Sequence, residues 1–307
     1  MMEKVAVIMS TYNGERFIRE QIDSILAQEG VEPLLVIRDD GSTDGTTRII
    51  EEYSERCGNV VFQNRGEKKN LGVRDSFLSL LEWAIRQYPD INFFAFSDQD
   101  DFWKKEKLAE AVRTKSANPK WLYFSNKTIV DEERNILYDE HLVYYHDVLE
   151  IFWGSQASGC TMVFSRSIAE NVLRCRDTPH RCGQLHDSLF YRVSHVIGAD
   201  ITFDERSFIL YRQHGNNVIG IEHTAKTGMN WYGLLHKSPH FISTLAGQIR
   251  DNYQSVLNWE GKYYLDLVCG YQNSFRCRWK LILDRKARSR GFKLYAIWVG
   301  KLLLQRL

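Results

Sequence analysis

Along the first hundred residues, short apolar runs alternate with stretches whose apolar positions recur at helical spacing. Residues 4–10 form an apolar run that breaks into the polar Ser10-Thr11-Tyr12-Asn13-Gly14, as a buried strand does on entering a loop. From Ile18, the residues Ile22, Ile25 and Leu26 follow at i+4, i+7 and i+8, which predicts a helix. Leu34-Leu35-Val36-Ile37 predicts a second strand, ending at Arg38-Asp39-Asp40-Gly41-Ser42. Asp44 stands at the N-cap position of a helix over 46–54. Val60-Val61-Phe62 predicts a third strand and Asn92-Phe93-Phe94-Ala95-Phe96 a fourth. Between these two lies a helix marked by Phe77, Leu80, Leu81, Ala84 and Ile85, and a further helix is expected over 104–115. Such alternation predicts βαβ units, and so an α/β fold with a mostly parallel central sheet and helices on both faces.

The second half is less regular. Leu122-Tyr123-Phe124-Ser125, Thr161-Met162-Val163-Phe164-Ser165 and Phe208-Ile209-Leu210-Tyr211 predict strands, and residues 185–196 a helix. A polar connection over 220–232 precedes a mostly helical remainder. The expected organisation is therefore an α/β domain over 1–220 and a helical C-terminal extension over 221–307. Ligands of open parallel sheets bind outside the carboxyl ends of the strands. Asn13, Asp39, Asp40, Asp98 and Asp100 all follow strands, so one cleft can collect them.

Composition adds three constraints. At 44% hydrophobic and 26% charged, the 307 residues are those of a soluble globular chain, with no disordered or low-complexity region. The net charge of +1 hides an asymmetry: residues 275–307 carry ten Lys/Arg and one acid, Asp284, leaving thirty basic and thirty-eight acidic residues elsewhere. A basic tail of this kind points to a polyanion, either nucleic acid or an anionic membrane. Six scattered cysteines, Cys175 and Cys182 among them, show no Cys-x-x-Cys spacing, which argues against zinc and for a reducing cytoplasm. The first run reads as a core strand, not a signal peptide, and no stretch approaches the length of a spanning helix.

Chemistry concentrates in Asp98-Gln99-Asp100-Asp101. Carboxylates this close repel one another, and a divalent cation, Mn²⁺ or Mg²⁺, would compensate them while binding diphosphate oxygens. A solvated acidic loop before a helix is the plainer account. Asp39-Asp40-Gly41-Ser42-Thr43-Asp44 and Thr11-Tyr12-Asn13 have the same two readings, as ligand contacts or as ordinary strand-to-helix turns.

Taken in order, Thr11-Tyr12-Asn13, Asp39-Asp40-Gly41-Ser42-Thr43-Asp44 and Ser97-Asp98-Gln99-Asp100-Asp101 resemble the successive signatures of family 2 glycosyltransferases, enzymes of the GT-A fold. The run through Phe102-Trp103, with Tyr211-Arg212-Gln213-His214-Gly215-Asn216-Asn217, is similar to the rhamnosyltransferase-like branch that builds bacterial surface polysaccharides. The resemblance covers residues 4–220. It implies a nucleotide-diphosphate-sugar donor held by Thr11, Tyr12 and Asn13, with Asp39 on the base and Asp98 on the ribose. It places the metal on Asp100, with Asp101 and His214 as further candidates.

An inverting transfer requires a base for the acceptor hydroxyl. The resemblance assigns this to Asp187, in His186-Asp187, where the family usually has Glu-Asp; a helix N-terminal acid is the bland alternative. The missing Gln-x-x-Arg-Trp motif argues against a processive synthase. The small-residue loop after Trp153 enters a strand at Gly159, so Trp153 and Gly159 are acceptor candidates. With a glycan or lipid-linked glycan as acceptor, the basic, apolar tail is expected on an anionic membrane surface rather than on nucleic acid. The expected location is cytoplasmic and peripheral on the inner face of the membrane. Rival classes are a sugar nucleotidyltransferase, which needs a Gly-rich basic first loop, and a non-catalytic sugar- or membrane-binding module. A Rossmann oxidoreductase lacks its Gly-x-Gly-x-x-Gly here.

Overall fold

A computed structural model describes residues 2–153, 157–174, 185–215, 240–305 and 307. Cys175, Cys182, Asn216, Asn217 and the expected boundary at 220 lie outside them.

Strand β1 (Glu3–Thr11) pairs in parallel with β2 (Val31–Asp39) on one side and β4 (Phe93–Ser97) on the other, and β2 pairs in parallel with β3 (Val60–Phe62). Beyond β4 the sheet becomes mixed, through β8 (Val163–Ser165), β6 (Trp121–Val130), β9 (Asp200–Arg212) and the two-residue β5 (Phe102–Trp103). A short β7 (Ile136–Asp139) pairs with β6 alone among the described residues. The α/β expectation holds, and the antiparallel neighbour of β4, β8, is the detail that alternation alone did not predict.

The continuous apolar run of β1 has a direct cause. Val5, Val7 and Met9 enter one buried cluster with Ile18, Ile22 and Ile25 of α1 (Ile18–Leu26) and Ile49 and Ile50 of α2 (Thr46–Arg56). Ala6 and Ile8 enter the opposite cluster with Phe77, Leu80 and Leu81 of α3 (Val73–Gln87). A strand covered on both faces has no polar positions to alternate. Gly45, not Asp44, is the N-cap of α2; Asp44 sits one residue outside and accepts from the Thr46 amide at 3.0 Å.

The remaining described helices are α4 (Lys107–Arg113), α5 (Glu150–Trp153), α6 (Arg166–Leu173) and α7 (His186–Val196), then α8 (Phe241–Tyr253), α9 (Trp259–Gly270), α10 (Phe275–Ile282), α11 (Arg285–Arg288) and α12 (Phe292–Leu303). Helix α4 is shorter than the expected 104–115, because Phe102-Trp103 is drawn into the sheet against β9. The C-terminal helices share one hydrophobic cluster with the sheet: Leu245, Leu265, Trp298 and Leu302 are buried with Phe94, Phe164 and Phe190. Arg290 is buried between Asp147, at 2.7 Å, and Glu150. Among the described residues no helix is long and apolar enough to cross a membrane.

Candidate active site

In register, Thr11 of β1 stands opposite Asp39 of β2, and Met9 opposite Ser97 of β4. The loops after these three strands therefore leave the sheet at one edge. The chain turns outward from β1 to β2 and β3 and returns on the other side of β1 as β4, so this edge is a topological switch point. A cleft of about 290 Å³ opens there, with Tyr12, Asp40, Asp98, Asp100, Gly159 and Asp187 in its lining.

Thr11 and Asn13 brace the loops after β1 and β2. The Thr11 hydroxyl donates to Asp39 Oδ1 at 3.0 Å, and Asn13, with φ +49°, accepts the Thr43 amide on its side chain at 2.8 Å. The buried Asp39 carboxylate also accepts from the Gly41 and Ser42 amides and the Ser42 hydroxyl. Its acceptor capacity is spent inside the loop. Asp40 is the member of the pair that lines the cleft, held by Arg38 at 3.1 Å and by the Leu71 and Gly72 amides. Gln99, read in the sequence as a spacer between aspartates, clamps the Tyr12 backbone.

The acidic run divides by depth. Asp100 Oδ2 lies 2.8 Å from His214 Nε2, joining positions 114 residues apart at the cleft. Asp101 is fully buried; one oxygen accepts the Arg212 amide at 3.2 Å and the other has no partner among the described residues. Arg212 in turn donates to the Asp100 carbonyl and pairs with Glu20. Beneath them, donor atoms of Asp98, Asp101 and Cys160 lie within 4.8 Å of one another. Burial and the charges of Asp100 and Asp187 push Asp98 up to about 7, and burial with Asp100 and Asp98 holds Asp101 well above the usual carboxylate range. Burial also raises the Cys160 thiol, which serves as a hydrogen-bond donor to Asp98. The buried Lys107 lies over the Trp103 ring at 3.5 Å, its pKa lowered to about 7 by burial.

This donor set fits a divalent cation. Crowded carboxylates, an orphan buried oxygen and an imidazole at the surface side supply the oxygen-rich, partly nitrogenous sphere that Mn²⁺ or Mg²⁺ takes. Asp100, backed by His214, lines the cleft, whereas the trio of Asp98, Asp101 and Cys160 contains a protonated thiol. Asp100 with His214 is therefore the better holder.

Asp187 stands in the first turn of α7, with Oδ2 accepting the Gly159 amide at 3.3 Å. His186 is buried, stacked on Phe77 at 3.9 Å and edge-on to Phe96, and burial lowers its pKa to about 4. It is thus a neutral group beside Asp187 where a Glu would be charged. Gly159 touches both: a Cβ there would lie 2.9 Å from His186 Nε2. Trp153, expected over a sugar, is outside the cleft lining and packs on Trp298 at 5.5 Å; burying its ring against the C-terminal helices claims it instead. Residues 154–156 of the same loop lie outside the described residues. The sequence reading passed over Lys127, on β6, which lines the cleft and donates to Ser158 at 2.6 Å.

Residues 6–184 match the profile of the family described as "Glycosyl transferase family 2". The chain belongs to that family. It is 28% identical over 276 residues to the dTDP-rhamnosyl transferase RfbG of Shigella flexneri, covering 84% of this chain and 89% of that protein. A shorter match, 36% over 111 residues, links it to the putative teichuronic acid biosynthesis glycosyltransferase TuaG of Bacillus subtilis, over 35% of this chain and 40% of that one. Among solved structures, residues 1–349 of Staphylococcus aureus TarS in complex with UDP-GlcNAc superpose with TM-score 0.57 at 16% identity, over 99% of this chain and 82% of that one. The GT-A fold expected from the motifs is the fold this glycosyltransferase has.

Proposed function

We propose that this chain transfers one sugar, with inversion, from a nucleoside diphosphate sugar to a hydroxyl of a growing cell-surface glycan. The observation that carries the reading is that Asp100, 2.8 Å from His214, lines the same cleft as Asp187. A cation holder and a base then face one volume. In this reading Thr11, Tyr12 and Asn13 shape the donor loop. The Asp39–Asp40 pair serves the base, with Asp40 the carboxylate in the cleft, and Asp98 takes the ribose. Asp100 and His214 hold a divalent metal, with Asp101 orienting the loop beneath. When bound, that metal would neutralise charge growing on the departing diphosphate. Asp187 accepts the proton of the acceptor hydroxyl as that oxygen attacks.

The dTDP-rhamnosyl transferase relative supports dTDP-rhamnose as donor, and the UDP-GlcNAc complex of TarS makes a UDP-sugar the second choice. The tail supports a membrane-surface location. Phe275 and Phe292 are 69% and 89% exposed, and Arg276, Lys280 and Lys293 beside them are exposed too. Buried apolar side chains plus attraction to anionic lipid would hold such a surface at the inner leaflet.

Thermal shift with Mn²⁺ and each of UDP, dTDP, GDP and CDP, followed by hydrolysis of the matching sugars, tests the donor. Asp100→Ala should abolish the metal dependence of both. Metal-independent turnover equal to that of the wild type would refute the assignment.

A further inference from the structure

The cleft has two walls, and the proposed donor accounts for one. Thr11, Tyr12 and Asp40 belong to the loops after β1 and β2; the opposite wall is the β6–β7 hairpin and the end of β9. Ile129 pairs with Tyr138 across the hairpin and with Tyr211 on β9. Residues directly opposite share a face, and residues two apart on a strand share it as well. Lys127, Ile129, Tyr138, Glu140, Tyr211 and Gln213 therefore present one continuous surface, and all six line the cleft.

That surface joins the base through a chain of contacts. The Asp187 carboxylate accepts from the Gly159 amide; the neighbouring Ser158 hydroxyl accepts from Lys127 at 2.6 Å; and Lys127 pairs with Glu140 at 3.7 Å. Burial works against the Lys127 charge, but Glu140 and the Asp101 and Asp98 carboxylates hold its pKa above the ordinary value. An acceptor hydroxyl placed on Asp187 would therefore have the rest of its ring over this wall. Outside it, β7 is an edge strand carrying Ile136, Leu137 and Tyr138 at 67%, 49% and 40% exposure. Edge strands are ordinarily blunted by charge or proline. Here Ile136, two residues from Tyr138, continues its face outward from the cleft, while Leu137 is exposed on the other face.

Resting on the transferase reading above, we propose that the β6–β7 hairpin is the acceptor subsite. A pyranose ring stacks on Tyr138, its hydroxyls bond to the Lys127–Glu140 pair, and the aglycone side extends over Ile136. An apolar and aromatic lining with a few convergent polar groups is the composition of a small-molecule site. This surface replaces Trp153 as the aromatic platform for the acceptor.

The test uses the full-length protein with Mn²⁺ and whichever of dTDP or UDP stabilises it. The probes are octyl α-L-rhamnopyranoside, octyl β-D-glucopyranoside and octyl N-acetyl-β-D-glucosaminide, followed by saturation-transfer NMR. At least one should receive saturation on its ring protons. Tyr138→Ala should weaken that glycoside about five-fold while the nucleotide thermal shift stays intact, and Tyr138→Trp should retain it. Glu140→Gln should weaken it in the same direction. Three results overturn the subsite while nucleotide binding is normal. One is no saturation of any glycoside in the wild type, and another is unchanged affinity in Tyr138→Ala. The third is an octyl-chain signal that Ile136→Asp leaves unchanged. If no nucleotide stabilises the wild-type protein, the transferase reading itself fails.

Discussion

Gln99 and Tyr12 exchange two hydrogen bonds: the Tyr12 amide donates to Gln99 Oε1 at 2.9 Å, and Gln99 Nε2 donates to the Tyr12 carbonyl at 3.0 Å. The loop after β1 is thereby fixed to the acidic run after β4, and Gly14 is tied in, because a Cβ there would fall 2.3 Å from Gln99 Oε1. Gln99→Ala exposes the Tyr12 groups to water, so global stability should fall by only about 1 kcal/mol. Nucleotide affinity should fall more, on the order of ten-fold, since the loop that shapes the donor wall loses its register. Calorimetric titration beside denaturant melts separates the two effects. Equal losses in both would show that the clamp serves folding alone.

Asp187 and Gly159 should separate chemistry from position. Asp187→Asn keeps the amide contact but removes the basic oxygen, and transfer should drop by roughly 10²–10⁴ with donor binding kept. Gly159→Ala introduces a Cβ 2.9 Å from His186 Nε2 and 3.3 Å from Asp187 Cβ. Turnover should fall in this variant too, with donor binding kept. Wild-type turnover in Asp187→Asn would move the base elsewhere.

The buried His186 makes stability depend on pH. Its folded pKa near 4 lies below the ordinary 6.5, so as pH falls the unfolded chain takes the proton first. Stability is then complete above the unfolded value and is lost progressively toward the folded one, by up to roughly 3 kcal/mol. Raised carboxylates nearby act in the opposite direction, so the informative quantity is a difference. The gap in unfolding free energy between the wild type and His186→Gln should narrow between pH 7 and pH 4.5. A constant gap would mean that His186 takes its proton in the fold as readily as in the unfolded chain.

Arg290 holds the tail by two buried carboxylates, Asp147 and Glu150, the latter also accepting from the Tyr191 hydroxyl at 3.0 Å. Arg290→Met leaves both acids without their cation and should cost about 3–5 kcal/mol. The double variant Arg290→Met, Glu150→Gln should recover part of that loss. Chemical denaturation of the three proteins decides the matter.

The parallel half of the fold was legible because its strands are covered on both faces and its loops carry local signatures. Lys127 was not: residues 122–125 read as a strand, yet β6 runs on to Val130, since β9 and β7 flank it and turn its polar positions into the cleft. No local pattern separates such a polar strand from a loop. β9 is longer than expected for the same reason, as Asp204, Glu205 and Arg206 interrupt its apolar alternation. Trp153 failed as a sugar platform because its partner, Trp298, lies 145 residues downstream. Of the two carboxylates expected in the cleft, Asp40 lines it and Asp39 does not, since which one faces inward depends on loop amides that the motif does not order.

Strand β9 has a kinetic consequence. Tyr211 and Gln213 belong to the wall opposite the donor, while Arg212 and His214 grip the acidic run. With the donor and acceptor placed as proposed, alternate positions of one segment serve the two substrates, and neither can be seated without setting the backbone beneath the other. An enzyme built this way should fill its sites in sequence, with the nucleotide bound before the acceptor is gripped.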